Sequence, residues 1–114
     1  MKLSEVVEFL NAKVVCGHDN LSREVYRAFA SDLMSDVLTI NTQNLLLLTG
    51  LTNIQTIRTS EMADVLNIVI VRNKKATSEM IEIAKEMGMV ILECDYSMYK
   101  TCGILFSKGL NPVY

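Results

Sequence analysis

The sequence contains few of the residues and motifs on which common catalytic sites are built. Its 114 residues include no tryptophan, one proline, one histidine and five glycines. The glycines are too far apart to form GxGxxG or GxxxxGK[ST], and neither GxSxG nor HExxH occurs. These absences exclude the usual nucleotide-hydrolysing, dinucleotide-binding and hydrolase classes.

Cysteine is also scarce. Cys16, Cys94 and Cys102 are odd in number and form no CxxC pair, whereas small secreted proteins usually carry paired cysteines. Structural zinc normally uses closely spaced ligand pairs repeated twice, and only Cys16 and His18 lie close together. We therefore expect a cytoplasmic protein without a metal or other cofactor.

Charge and hydropathy exclude further partners. The net charge is −2, and no basic run exceeds Lys74-Lys75, which argues against nucleic acid. No segment approaches the ~18 unbroken apolar residues of a membrane span. Glu5 and Glu8 lie where a signal peptide would be apolar, so we expect an unprocessed N-terminus.

Half of the residues are hydrophobic, and the mean hydropathy is +0.26. A chain of this size buries about two-thirds of its extended surface, enough for one domain over residues 1–114. The high mean hydropathy predicts an apolar surface that another subunit covers, most simply in a homodimer. The last helix, with Met98, Tyr99, Ile104 and Phe106, is a candidate for that surface.

Apolar runs typical of buried strands alternate with segments of helical period, which predicts an α/β domain. The strands are expected at residues 13–16, 25–30, 45–48, 67–72 and 89–93. Helices are expected at residues 3–10, from Ser31 or Asp32 to about 39, and at 52–65, 77–88 and 95–109. From Leu45 onward the alternation predicts parallel pairing, whereas the N-terminal strands could pair antiparallel at one edge.

Ligands of parallel sheets bind beyond the carboxyl ends of the strands. Loops 49–53, 73–78 and 95–98 follow three predicted strands, and each opens a helix with unpaired backbone N–H groups. A small anion or nucleotide is the predicted ligand, and ordinary helix capping is the alternative explanation. The candidate binding residues are Thr49, Gly50, Thr52, Asn53, Tyr96 and Ser97, with Arg72 at the end of the central strand.

A second cluster follows the predicted strand 25–30. Asp32 and Asp36 are four residues apart, with Ser35 between them, so a helix would present both carboxylates on one face. Such carboxylates can bind Mg²⁺ or share general acid–base catalysis. Aspartate and serine are equally the ordinary residues of a helix start.

Several strings carry a family resemblance. They are Cys16-Gly17 with Leu21 and Glu24-Val25, then ASDLMSDVL at 30–38, LLLTGLT at 46–52, IVIV at 68–71 and DYSMY at 95–99. Over residues 2–110 the sequence resembles the DRTGG domain family, with Thr49-Gly50-Leu51-Thr52-Asn53 in place of the string that names it.

The resemblance implies a three-layer α/β/α sandwich with a mostly parallel sheet of about five strands, similar to the N-terminal domain of HPr kinase/phosphorylase. Such domains occur as accessory parts of metabolic enzymes and also on their own, so the resemblance leaves the function open. The missing catalytic motifs, the high apolar content and the helix starts gathered at one edge lead to the hypothesis of a non-catalytic module that senses a ligand or docks onto a client enzyme. The alternative is a small Mg²⁺-dependent enzyme acting on a phosphorylated metabolite.

Overall fold

A six-stranded sheet lies between two layers of helices in the computed structural model, which describes residues 1–114. The helices are α1 (Leu3–Leu10), α2 (Met34–Val37), α3 (Ile54–Met62), α4 (Ser78–Glu86) and α5 (Met98–Ser107). The strands are β1 (Lys13–Cys16), β2 (Arg27–Ala30), β3 (Leu45–Thr49), β4 (Asn67–Ile70), β5 (Val90–Glu93) and β6 (Asn111–Pro112). None of the helices has the length and apolar character needed to span a membrane.

The two faces of the sheet carry separate apolar cores. Alternate residues of β3 divide between them, because successive side chains of a strand point to opposite faces. Leu45 and Leu47 pack in the core beneath α2, α3 and α4, whereas Leu46 and Leu48 pack in the core beneath α1 and α5. This arrangement confirms the predicted three-layer α/β/α fold with a mostly parallel sheet.

Strand order explains why the helices divide in this way. The sheet runs β1-β5-β4-β3-β2-β6, so the chain from β2 to β5 adds each strand beside the last. It then returns across the whole sheet to β6, which pairs in parallel with β2. Because crossovers between parallel strands are right-handed, a connection that runs back across the sheet must pass over the face opposite to α3 and α4. Helix α5, which connects β5 to β6, lies on that face. The connections leaving β4 and β5 therefore diverge to opposite faces.

The N-terminal strands differ in part from the prediction. β1 is antiparallel to β5 at the sheet edge, as anticipated. β2 is parallel to β3 and begins at Arg27 rather than at residue 25. The Val25 N–H donates to the carbonyl of Met1 at 2.8 Å, so residue 25 pairs with the N-terminus and not with β3. The Tyr26 N–H donates to the carbonyl of Asn44, the residue before β3, at 2.9 Å.

Strand β6 was missed by the prediction of about five strands. It has two residues, one of them Pro112, and lies at the edge beyond β2. Proline lacks a donor N–H and is therefore tolerated only at such an edge. Two residues give no alternating pattern, so the sequence carried no strand signal there.

Arg23 links the amino-terminal ends of the central strands β4 and β5 by hydrogen bonds. One guanidinium nitrogen donates to Asn67 Oδ1 at 3.0 Å and to the Leu66 carbonyl at 3.4 Å, and the other donates to the Gly88 carbonyl at 3.0 Å. Asn67 is buried, and its Nδ2 donates to the Leu45 carbonyl at 3.1 Å. Arg23 thus satisfies acceptors from two segments of the chain, and Asn67 links this network to a third segment at Leu45.

Replacing Arg23 with alanine should lower the free energy of unfolding by about 2–3 kcal/mol, because partly buried acceptors lose a charged donor. Urea denaturation monitored by circular dichroism measures this change. The control is Arg58→Ala, an exposed arginine on α3 with no side-chain hydrogen bond, which should change stability by less than about 0.5 kcal/mol. Equal effects of the two substitutions would contradict this assignment.

Candidate functional site at the carboxyl edge of the sheet

The carboxylate of Asp32 gathers three donors from the ends of β3 and β4. Its Oδ1 accepts from Thr49 Oγ1 at 3.1 Å and from the Gly50 N–H at 2.6 Å. Its Oδ2 accepts from Arg72 Nη2 at 3.1 Å. The Asp32 and Arg72 side chains are 42% and 48% exposed, so this pair lies at a surface that solvent and solutes reach. We call Asp32, Thr49, Gly50 and Arg72 the edge cluster.

A turn before α2 aims Asp32 at this cluster. Ser31 Oγ accepts from the Leu33 N–H at 2.9 Å, and α2 begins only at Met34. The prediction that Ser31 or Asp32 caps this helix is therefore wrong, because both side chains have other partners. Asp32 lies outside α2, so the prediction that a helix presents Asp32 and Asp36 on one face is also wrong.

Arg72 is held in a left-handed backbone conformation. Arg72 and Asn73 have φ of 63° and 58°, and the Lys74 N–H donates to the Val71 carbonyl at 3.3 Å. Positive φ at both central residues is the pattern of a type I′ turn, which favours glycine and asparagine. The left-handed conformation costs an arginine about 1–2 kcal/mol, and strain of this kind concentrates at functional sites.

Gly50 allows the Arg72 guanidinium to lie against the backbone of the β3–α3 loop. A Cβ on Gly50 would collide with three guanidinium atoms of Arg72. A side chain at position 50 would therefore displace the arginine from its place beside Asp32. Glycine is needed here for this close approach.

The ends of β4 and β5 are joined by backbone bonds. The Arg72 N–H donates to the Tyr96 carbonyl at 2.8 Å, and the Asn73 N–H donates to the Cys94 carbonyl at 3.0 Å. These bonds fix the loop that carries Arg72 against the start of α5. After β4 the chain continues to α4 on one face of the sheet, and after β5 it continues to α5 on the other face. The carboxyl ends of β4 and β5 are therefore a switch point, the place at which open α/β sheets bind ligands.

Glu93 is a buried carboxylate that the sequence analysis did not identify. It is 5% exposed, and its Oε2 accepts from the Ala76 N–H at 2.8 Å. Lys75 Nζ lies 3.8 Å from its other oxygen. A glutamate at the end of the apolar run Val90-Ile91-Leu92 was the available signal. Its bond to Ala76 anchors the loop that leads into α4.

Four cations lie on the loops at the switch point and the first turn of α5: Arg72, Lys74, Lys75 and Lys100. Lys100 Nζ lies 4.0 Å from the centre of the Tyr96 ring. Lys74 and Lys100 have no carboxylate partner within ion-pair distance. These two lysines add positive charge beside the Arg72–Asp32 and Lys75–Glu93 pairs, and the exposed Asp95 on the same edge offsets one of them.

Other predicted site residues serve as helix caps. Asn53 Oδ1 accepts from the Thr56 N–H at 3.2 Å, and Ser97 Oγ accepts from the Lys100 N–H at 3.1 Å. Thr52 directly precedes the Asn53 cap and forms no side-chain hydrogen bond. The side chains of Ser35 and Asp36 are exposed on α2, and no hydrogen bond or ion pair joins them to the edge cluster.

The three thiols are free and lie in different parts of the fold. Burial raises the pKa of the Cys16 and Cys102 thiols above the ordinary cysteine value. Both thiols therefore stay protonated at neutral pH, the opposite of what a nucleophilic cysteine needs. No three histidine, cysteine, aspartate or glutamate side chains lie close enough together to hold a metal ion.

Comparison with known proteins gives a structural match and no sequence match. No protein-family model matches the chain, and no curated protein matches it. The fold is similar to that of the CBS and DRTGG domains in the regulatory region of Clostridium perfringens pyrophosphatase, solved in complex with its activator diadenosine tetraphosphate. The TM-score is 0.75 at 9% identity, over 91% of this chain and 45% of that one. This likeness establishes the fold, and the chain spans about half of its neighbour's length.

Replacing Asp32 with alanine should lower the free energy of unfolding by about 1–3 kcal/mol, because the buried Gly50 N–H and the Thr49 hydroxyl lose their acceptor. The matched control is Asp36→Ala, which removes an exposed carboxylate without a partner and should change stability by less than about 0.5 kcal/mol. Thermal and urea denaturation measure both variants. If Asp36→Ala proves equally destabilising, Asp32 does not organise the edge.

Proposed function

We propose that this chain is a non-catalytic regulatory module that binds a small phosphorylated metabolite or nucleotide at the edge cluster. The observation that carries the proposal is the half-exposed Arg72 guanidinium, held against Gly50 by Asp32 in a strained turn. We propose for this chain the kind of regulatory role that DRTGG domains have. The similarity of its fold to the CBS and DRTGG domains of a pyrophosphatase supports this proposal.

Arg72 is prepared to bind an anion. Of its guanidinium donors, only Nη2 has a protein acceptor, the Oδ2 atom of Asp32. The remaining N–H groups are available to a phosphate or carboxylate, which guanidinium binds with two parallel hydrogen bonds. Because Asp32 fixes the side chain before the ligand arrives, binding costs less conformational entropy.

The surrounding groups favour a phosphate over an uncharged ligand. Lys74 and Lys100 add positive charge on either side of the junction between β4 and β5. The N-terminus of α5, capped by Ser97, points its backbone N–H groups to the same edge. Thr49, Thr52, Asn53 and Tyr96 complete the proposed lining, whereas Ser35 and Asp36 have no role in it.

Regulation of a metabolic enzyme is the proposed context. The neighbour is the regulatory region of a pyrophosphatase, and its activator is a dinucleoside polyphosphate. By analogy, ligand binding here would be transmitted to a client enzyme in the cytoplasm. The alternative of a Mg²⁺-dependent enzyme depended on Asp32 and Asp36 sharing a helix face, which they do not.

A thermal melt against adenine and guanine nucleotides, diadenosine tetraphosphate, phosphorylated sugars and unphosphorylated adenosine tests the proposal. A ligand at ~100 times its dissociation constant adds about 2.7 kcal/mol to stability and raises the melting temperature by several degrees. A phosphorylated compound should give this shift, and adenosine should not. The shift should also shrink as ionic strength rises, because the contact is exposed.

The matched pair of variants is Arg72→Ala and Arg58→Ala. Arg72→Ala should abolish the shift, whereas Arg58→Ala, which removes an equal charge from α3, should preserve it. Each variant is compared with its own ligand-free melt, so that a change in intrinsic stability does not count as loss of binding. A shift that persists in Arg72→Ala, or its absence with every phosphorylated compound, would refute the proposed site.

A further inference from the structure

An apolar face of the molecule has no covering element. Three helices cover one side of the sheet, but only α1 and α5 cover the other, so the edge strands β2 and β6 lie open beside α5. A cavity of about 260 Å³ lies there between β2, α5 and the C-terminal segment. Its lining is almost entirely apolar and includes Ala28, Ala30, Leu48, Cys102, Leu105 and Phe106.

The outer surface of α5 continues this apolar face. Tyr99, Gly103 and Phe106 recur at helical spacing and are all exposed. Phe106 also lines the cavity, so the helix stripe and the cavity form one surface, which we call the α5 face. Tyr114 at the far side of the cavity is exposed as well.

Gly103 marks the centre of the α5 face. A Cβ built on Gly103 would have no atom within 4 Å, so nothing in this chain requires glycine there. Glycine inside a helix is less stable than alanine, because its backbone loses more freedom on folding. Close approach of another backbone is the requirement that glycine meets and alanine does not.

We propose that the α5 face binds a second copy of this chain, with the two α5 helices antiparallel about a two-fold axis. The stripe is self-complementary about the point between Cys102 and Gly103. An axis through that point places Tyr99 of one copy against Phe106 of the other, with the small residues at the crossing. This is the isologous contact of a two-fold dimer, in which one patch binds itself.

The exposed area suits a dimer. Tyr99, Phe106 and Tyr114 are 90%, 68% and 91% exposed. Since an aromatic side chain buries about 150–250 Å² when covered, these three rings offer about 500 Å² per copy. A stable interface of standard size buries about 800 Å² per partner, so the rings supply more than half of it.

The helix dipoles favour the same arrangement. An antiparallel pair places the N-terminus of one α5 beside the C-terminus of the other, so that opposite partial charges are neighbours. A parallel pair would place like partial charges side by side.

Sedimentation equilibrium of the full chain, without ligand, tests this proposal. The expected mass is twice the 12.8 kDa of one chain. Tyr99→Asp and Phe106→Asp should each raise the dimer dissociation constant at least about tenfold, as buried aromatic anchors do. Gly103→Leu should do the same by blocking the helix crossing, and it leaves every charge in place.

Met62→Asp is the control, because Met62 is a 75% exposed apolar residue on α3 beneath the other face of the sheet. It should leave the dissociation constant unchanged. A monomer at all concentrations, or a dimer insensitive to Tyr99→Asp and Phe106→Asp, would overturn the proposal. Neither result bears on ligand binding at Arg72.

Discussion

Strands β3, β4 and β5 are buried at every position, because helices cover both of their faces. No residue within these strands can turn a polar side chain to water, so polar groups are confined to the strand ends. There each must find a protein partner: Asn67 bonds to Arg23 and to the Leu45 carbonyl, Thr49 to Asp32, and Glu93 to the Ala76 N–H. The hydrogen-bonded clusters at the amino-terminal and carboxyl-terminal ends of these strands follow from this single constraint.

The same constraint explains why much of the fold could be predicted from the sequence. A strand buried on both faces must be apolar at every position, so runs such as Leu45–48 and Ile68–Val71 are unambiguous. The helix start expected at Thr77 is confirmed, since Thr77 caps α4. The last helix was expected from residue 95, and its cap is Ser97, two residues later. Gly88 likewise ends α4 with a φ of 69°. Strand β6 could not be predicted, because two edge residues depend on tertiary contact alone.

The residues of the edge could be predicted better than their geometry. Strand ends meet at one edge of a parallel sheet, which predicted that Thr49, Gly50 and Arg72 lie close together, as they do in the structure. Asp32 entered the candidate set for another reason, its spacing from Asp36. The role of Asp32 was missed because its partners are 17, 18 and 40 residues away in the sequence. The four-residue spacing predicted that Asp32 and Asp36 lie in one helix. In the structure Asp32 lies outside α2 and instead accepts hydrogen bonds from the ends of β3 and β4. The left-handed turn at Arg72 also had no signal, since arginine rarely occupies that conformation.

Helix α5 belongs to both proposed surfaces. Its first residues follow Tyr96, whose carbonyl fixes the loop that carries Arg72, and its exposed stripe begins at Tyr99. A ligand bound to Arg72 acts on a loop that is bonded directly to the start of this helix through the Tyr96 carbonyl. An effect of the ligand on the position of α5 would therefore change the affinity between copies. By linkage, dimerisation would change the affinity for ligand by the same factor. A module that senses a metabolite needs some such connection between its ligand site and its protein contacts, and α5 is the element of this fold that touches both.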